Sequence, residues 1–208
     1  MSEYMATFLP IYGKDNSEKV NDYVRSLASE LTGGNTEVPV QGEYFRAIVG
    51  PKGKVLIDFR DARLGEKIWD WEQSGYPVRI ECGERDIENN KCVAVSRISG
   101  EKLILDRELL GDTVTRMHSE WQKTLLENSR KRLMENTVAC ETLEEVGIAV
   151  EAGKFAIYEW DKNPEMEKEI KDKWKATTRC IPFDWQFTDD LLTLKNPENV
   201  KVIIARNF

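Results

Sequence analysis

Between residues 6 and 82 the chain alternates strand-like and helix-like apolar patterns, and that alternation restricts the fold more than any other feature. Ala6-Thr7-Phe8-Leu9-Pro10-Ile11-Tyr12 is a short apolar run of the kind that forms a buried strand. Gly13 to Ser17 is a turn, with Asn16 or Ser17 as the N-cap of a helix. From Glu18 onward Val20, Tyr23, Val24, Leu27, Ala28 and Leu31 recur at helical spacing until Gly33-Gly34 stops the run. Val55-Leu56-Ile57-Asp58-Phe59 then predicts a second strand. Arg63 to Ser74, carrying Leu64, Ile68, Trp69 and Trp71, predicts an amphipathic helix closed by Gly75, and Pro77 to Cys82 a third strand. Strand–helix–strand–helix–strand is the order of an α/β domain, because right-handed crossovers place the helices on the faces of a parallel sheet.

Further along, Cys92 to Arg97 and Lys102 to Leu105 read as two strands joined through Ile98-Ser99-Gly100-Glu101, and a helix is expected from about Leu109 to Glu135. Its basic end, Arg130-Lys131-Arg132, complements the helix dipole. A boundary near Glu135 to Thr137 divides the chain into residues 1–135 and 136–208. The second part begins a helical pattern at Leu143-Glu144-Glu145-Val146, followed by a strand at Lys154 to Trp160. A charged helix from Pro164 to Trp174 and a strand from Val200 to Ala205 complete a second, smaller α/β unit. Asn35 to Lys54 is polar and punctuated by Gly and Pro, with a hairpin expected at Tyr44 to Val49.

Several classes of function are disfavoured. No apolar stretch is long enough to cross a bilayer, and Met1-Ser2-Glu3-Tyr4 lacks the start of a secretory signal, so a cytoplasmic protein is expected. The four cysteines, Cys82, Cys92, Cys140 and Cys180, stand singly, without the paired spacing of a tetrahedral zinc site, and are expected to be small buried hydrophobes. His118 is the one histidine and lies in a helical pattern with no nucleophile near it. Phosphate loops of the GxxxxGK[ST] and GxGxxG types are absent, as are HExxH and GxSxG, so no catalytic residues are assigned. A formal net charge of -7 argues against indiscriminate phosphate binding; any nucleic-acid contact has to be local and selective.

The informative stretch runs from Ile57 to Lys102: Asp58-Phe59-Arg60-Asp61, then Gly65-Glu66-Lys67, then Trp71-Glu72, and then Gly75-Tyr76-Pro77-Val78-Arg79-Ile80-Glu81-Cys82-Gly83-Glu84-Arg85-Asp86. Arg97-Ile98-Ser99-Gly100-Glu101-Lys102 continues it, and Ala176-Thr177-Thr178-Arg179-Cys180-Ile181-Pro182-Phe183 forms a second block. In this order the segments resemble the C-terminal half of the archaeal/eukaryotic-type prolyl-tRNA synthetases, over nearly the whole chain. The resemblance implies a class IIa anticodon-binding domain, a mixed five-stranded sheet with helices, followed by a small α/β C-terminal domain.

It also implies a part in ATP-dependent prolyl-tRNA aminoacylation as the anticodon reader. The partners would be tRNA(Pro) and the catalytic domain of the same synthetase, which has no counterpart in these residues and would hold ATP and Mg. No DNA or membrane partner is expected. The alternative is a freestanding relative acting as an RNA- or protein-binding regulatory module. The chain departs from the family pattern at the Asn35–Lys54 insertion and at Leu64-Gly65, where the family has Pro-Gly. Asp161, Met166, Leu191 and Leu194 stand where zinc-bearing members have cysteines, so no metal is expected, and Phe208 stands at the position of a terminal Tyr.

Proline codons begin CC, so the anticodons of their tRNAs share two adjacent guanines. Arg or Lys can donate to guanine O6 and N7, and a carboxylate can accept from N1 and N2. By resemblance this role falls to Glu72, Arg79, Arg85 and Lys102, with Asp86 orienting Arg85 and with Arg60 and Lys67 as secondary RNA contacts. From pattern alone Arg79 reads first as a solvent-facing strand residue, and Glu72 as the wet face of its helix; the resemblance is what raises them to readers. Trp69 and Trp71 are read as core residues, with base stacking as the alternative.

Overall fold

The computed structural model describes residues 2–40, 42, 44–182 and 194–206. Phe183, Leu191 and Phe208, which the sequence singles out, lie outside the described residues. The chain divides into two compact units, Met1–Leu125 and Leu126–Phe208.

Unit 1 opens with β1 (Thr7–Pro10) and α1 (Ser17–Thr32). Gly33 caps α1 in the left-handed conformation at φ 70°, its N–H donating to the Ser29 carbonyl at 2.8 Å, which is why the helical spacing stops there. The Asn35–Lys54 segment becomes sheet, with the expected Tyr44–Val49 hairpin replaced by a single strand: β2 (Thr36–Pro39) and β3 (Phe45–Gly50) pair antiparallel, and β3 pairs antiparallel with β4 (Gly53–Asp58). There follow α2 (Leu64–Ser74), β5 (Val78–Cys82), the short α3 (Glu84–Glu88), β6 (Lys91–Ser96), β7 (Lys102–Asp106) and α4 (Leu110–Glu135).

The sheet order is β2-β3-β4-β1-β5-β6-β7. The centre, β4-β1-β5, is parallel, as the crossovers require, and both flanks are antiparallel. The sheet thus has seven strands, where the resemblance implies five. The difference is β2 and β3, which extend the expected set beyond β4.

Alternation along each strand divides the sheet into two faces. One face carries Ala6, Phe8, Val55, Ile57, Val78, Ile80 and Cys82, packed with Val20, Val24 and Leu27 of α1 and Val114 and Met117 of α4. Burial of each such aliphatic side chain contributes about 1.5–3 kcal/mol. On the other face, Thr7 and Leu9 of β1, Leu56 and Asp58 of β4, and Arg79 and Glu81 of β5 alternate with that core. α2 covers part of this second face, with Lys67 and Trp71 buried. Trp69 is 59% exposed, against the expectation of a core residue, because it projects from the other side of the same helix.

Unit 2 contains β8 (Thr137–Cys140), α5 (Leu143–Glu151), β9 (Phe155–Trp160), α6 (Pro164–Trp174), β10 (Ala176–Cys180) and β11 (Val200–Arg206). Its sheet order is β10-β11-β9-β8, with β8 and β9 parallel and the other pairs antiparallel. Val146, Val150, Ala156, Ile170, Val202 and Ile204 form the core. α5 and α6 approach closely at Gly147, where a Cβ would lie 2.2 Å from the Trp174 ring. Cys82, Cys92 and Cys140 are buried as expected, whereas Cys180 is exposed near the end of β10.

Candidate nucleic-acid interface

Two of the predicted readers, Arg79 and Lys102, lie on the α2-side face of the sheet, over β5, β6 and β7. Arg79 registers with Val95 of β6, and Val95 with Lys102 of β7, so the three stand in one row. Glu81, Val93 and Ile104 form the next row in the same way. Cross-strand partners share a face, so six side chains make one strip. The strip is open toward β7, where Ile104 is 70% exposed.

Glu81 organises the strip. Its Oε1 accepts from Arg79 Nε at 2.8 Å, and its Oε2 accepts from Lys102 Nζ at 2.9 Å, across the intervening strand. Burial pushes the Glu81 carboxyl up, but the hydrogen bonds and charges of Arg79 and Lys102 outweigh it and hold the group below the usual glutamate value. The Arg79 guanidinium also lies over the Trp71 ring, 4.8 Å from its centroid, and the Arg97 guanidinium stands 5.7 Å from the same centroid. Exposure is graded along the cluster: the side chain of Lys102 is 56% exposed, that of Arg79 14% and that of Glu81 5%. A ligand on this face therefore meets Lys102 first, Arg79 at its margin and Glu81 not at all.

The predicted residues divide accordingly. Arg79 and Lys102 are brought together through Glu81. Glu72 follows Trp71 on α2 and is exposed, with no ion-pair partner among the described residues. Arg85 is also exposed but stands on α3, which packs against α1 and β6 and sends Ile87 into the α1-side core, outside the cluster.

Three secondary candidates are engaged by other groups of the chain. Asp86 does not orient Arg85: its Oδ2 accepts from the Gly83 N–H at 2.8 Å and caps α3. Lys67 is 1% exposed, with Nζ donating to the carbonyls of Pro10 at 3.0 Å and Asp58 at 3.1 Å. Arg60 is neutralised, donating to Asp58 Oδ2 at 2.7 Å and to Asp70 Oδ2 at 2.6 Å, and its guanidinium lies 4.9 Å from the Phe45 ring centroid.

Glu81, to which sequence reasoning assigned no role, had a legible signal. It stands two residues from Arg79 in a strand whose Val78, Ile80 and Cys82 point to the other face.

In unit 2 the residues around Asp161 and Met166 line a cavity whose polar groups are paired with one another. Glu159 accepts from the backbone N–H groups of Lys195 at 2.7 Å and Asn196 at 2.8 Å, and from Asn199 Nδ2 at 2.8 Å. Asp161 Oδ1 accepts from the Asn163 N–H at 2.9 Å, and Lys195 Nζ donates to Glu141 at 3.0 Å. A carboxylate at 161 and a thioether at 166 do not fit the thiolate set of a tetrahedral zinc site. Among the described residues no group of three or more His, Cys, Asp or Glu side chains is arranged to hold a metal ion, and no helix is long and apolar enough to cross a membrane.

Residues 8–117 match the family model described as an anticodon binding domain, and residues 143–208 match the model described as the C-terminal domain of prolyl-tRNA synthetase. Among similar curated proteins, the proline-tRNA ligase of Natranaerobius thermophilus is 33% identical over 162 residues, covering 76% of this chain and 33% of that protein. A proline-tRNA ligase of Mesomycoplasma hyopneumoniae is 35% identical over 148 residues, with 71% and 31% coverage. That of Methanoculleus marisnigri is 38% identical over 117 residues, with 56% and 24% coverage. The chain spans about a third or less of the length of these relatives.

Proposed function

Because the chain belongs to the anticodon-binding domain family, with a C-terminal part of the prolyl-tRNA synthetase type, we propose that it reads the tRNA(Pro) anticodon within a proline-tRNA ligase. In this reading the chemistry of proline activation and transfer, with ATP and Mg, belongs to a class II catalytic domain elsewhere in the enzyme. This chain supplies selection, in the cytoplasm: binding energy gained at the anticodon orients the remote acceptor end for reaction.

The observation that carries the reading is the graded Arg79–Glu81–Lys102 cluster on an open sheet face. Lys102 has three N–H donors, of which one is used by Glu81, so two remain for guanine O6 and N7. Arg79 keeps both terminal amino groups for the margin of the same base, its Nε being held by Glu81. Glu72 stands exposed on α2, free to accept from guanine N1 and N2, and Arg85 contributes from α3 as a separate contact. Ile104 offers an apolar floor.

One well-formed contact of this kind is worth about 1–3 kcal/mol of discrimination. Lys102→Ala is expected to weaken binding of the proline anticodon stem-loop by about tenfold or more. Binding of a loop whose two guanines are replaced by adenines should change little. Fluorescence anisotropy at fixed salt measures both, and equal loss for the two loops would remove Lys102 as a reader.

A further inference from the structure

We infer that Glu81, although shielded from any base, is the positioning residue that sets guanine selectivity, by fixing the donor directions of both Arg79 and Lys102. The inference rests on the anticodon-reading proposal and deepens it.

Glu81 has a side-chain exposure of 5%, and its two oxygens are assigned one to each cation. Without it, Lys102 is a long side chain on an edge strand with no other ion-pair partner among the described residues. Such an ammonium samples many rotamers, and a freely moving charge attracts phosphate as readily as a base edge. Held by Glu81, it points over β6 toward the neighbouring row, along the same strip as Arg79. Arg79 is fixed on two sides, by Glu81 at Nε and by the Trp71 ring under its plane, which leaves its terminal amino groups in one direction. A buried carboxylate thus converts two general cations into a fixed pair of donors, and directed donors are what separates guanine from adenine.

The test uses the full chain with two anticodon stem-loops, one carrying the adjacent guanines and one with adenines in their place, at a single salt concentration. Glu81→Gln removes the charge while keeping the shape. The expected result is about a tenfold fall in the ratio of affinities for the two loops, with affinity for the adenine loop unchanged or raised. A purely structural role would weaken both loops in proportion and leave the ratio unmoved, and that result would overturn the inference.

The double variant Glu81→Gln/Lys102→Met locates the effect. If Glu81 acts through Lys102, the losses in the ratio are non-additive, whereas additive losses contradict the inference. Should Lys102→Met destroy selectivity while Glu81→Gln preserves it, the positioning role fails and the anticodon reading stands. Should neither Lys102→Met nor Arg79→Met alter the ratio, the cluster is not the reader and both fall. If Glu81→Gln does not fold, Glu81→Asp keeps the charge but withdraws it by one methylene. Reduced selectivity is again expected there, and a wild-type ratio would overturn the inference.

Discussion

Lys67 shows how a single side chain can be read correctly as charged and wrongly as exposed. Its ammonium is buried beneath the sheet and donates to the final residues of two parallel strands, Pro10 of β1 and Asp58 of β4, while lying 4.8 Å from the Tyr12 ring centroid. Burial lowers its pKa, with the charge of Asp58 opposing that shift. Carbonyls at the ends of parallel strands lack a ladder partner, and Lys67 supplies one to each. Lys67→Met fills the same space without the donors. It should cost about 1–3 kcal/mol in urea unfolding, the desolvation penalty of carbonyls left unpaired. A midpoint equal to wild type would show that water replaces the ammonium at no loss. The spacing of α2 places Lys67 on the face of Leu64 and Trp71, but its charge hides the burial, because the partners are backbone atoms of strands distant in sequence. The Arg79–Glu81 pair is the opposite case: two residues apart on one strand, they must share a face, so strand periodicity by itself makes half of the cluster legible. Lys102 joins it only through the hairpin register of β6 and β7.

At the level of elements, legibility follows the strength of the periodic signal. α1, β1, β4, β5 and β11 carry clear runs of buried residues and, like the more amphipathic α2 and α6, stand close to where the sequence puts them. β2, β8 and β10 lack such a signal, and each has a physical reason. β2 is exposed throughout, so alternation has nothing to act on. β10 is a polar edge strand with a register shift between Thr178 and Cys180, and β8 is four residues that follow a long helix without a break of turn residues. The short α3 is equally silent, because a single turn cannot display helical spacing.

The loop before β11 depends on the three bonds accepted by Glu159. These bonds, the Lys195 N–H first, hold the Glu159 carboxyl below its ordinary range. A folded-state pKa below the unfolded one means that the unfolded chain binds more protons in the interval between them. The contribution of Glu159 is therefore present above the ordinary glutamate range and is lost as the pH falls through it and below. Glu159→Gln should remove that acid dependence and, at neutral pH, speed amide hydrogen exchange at Lys195 and Asn196. Unchanged exchange at both amides would show that the loop is held by other contacts.

For the molecule as a whole, the net charge of -7 and the specific cluster make opposing demands that only one kind of binding satisfies. A protein relying on counterion release needs a basic surface, and its affinity falls by about 0.7 log units per log unit of salt for each phosphate neutralised on a single strand. Here Arg60 is paired with two aspartates, Arg107 with Glu30, and Arg25 and Arg46 with Glu37. These four arginines are already matched by carboxylates, and in the proposed reading Arg79 and Lys102 face base edges rather than phosphates. The expected salt slope for the proline anticodon stem-loop is accordingly shallow, about -1 to -2. The ratio between guanine-bearing and adenine-bearing loops should stay nearly constant across the titration, since hydrogen bonds to base edges release no condensed counterions. A steep slope with a ratio that collapses as salt rises would mean that phosphate attraction dominates binding despite the acidic surface.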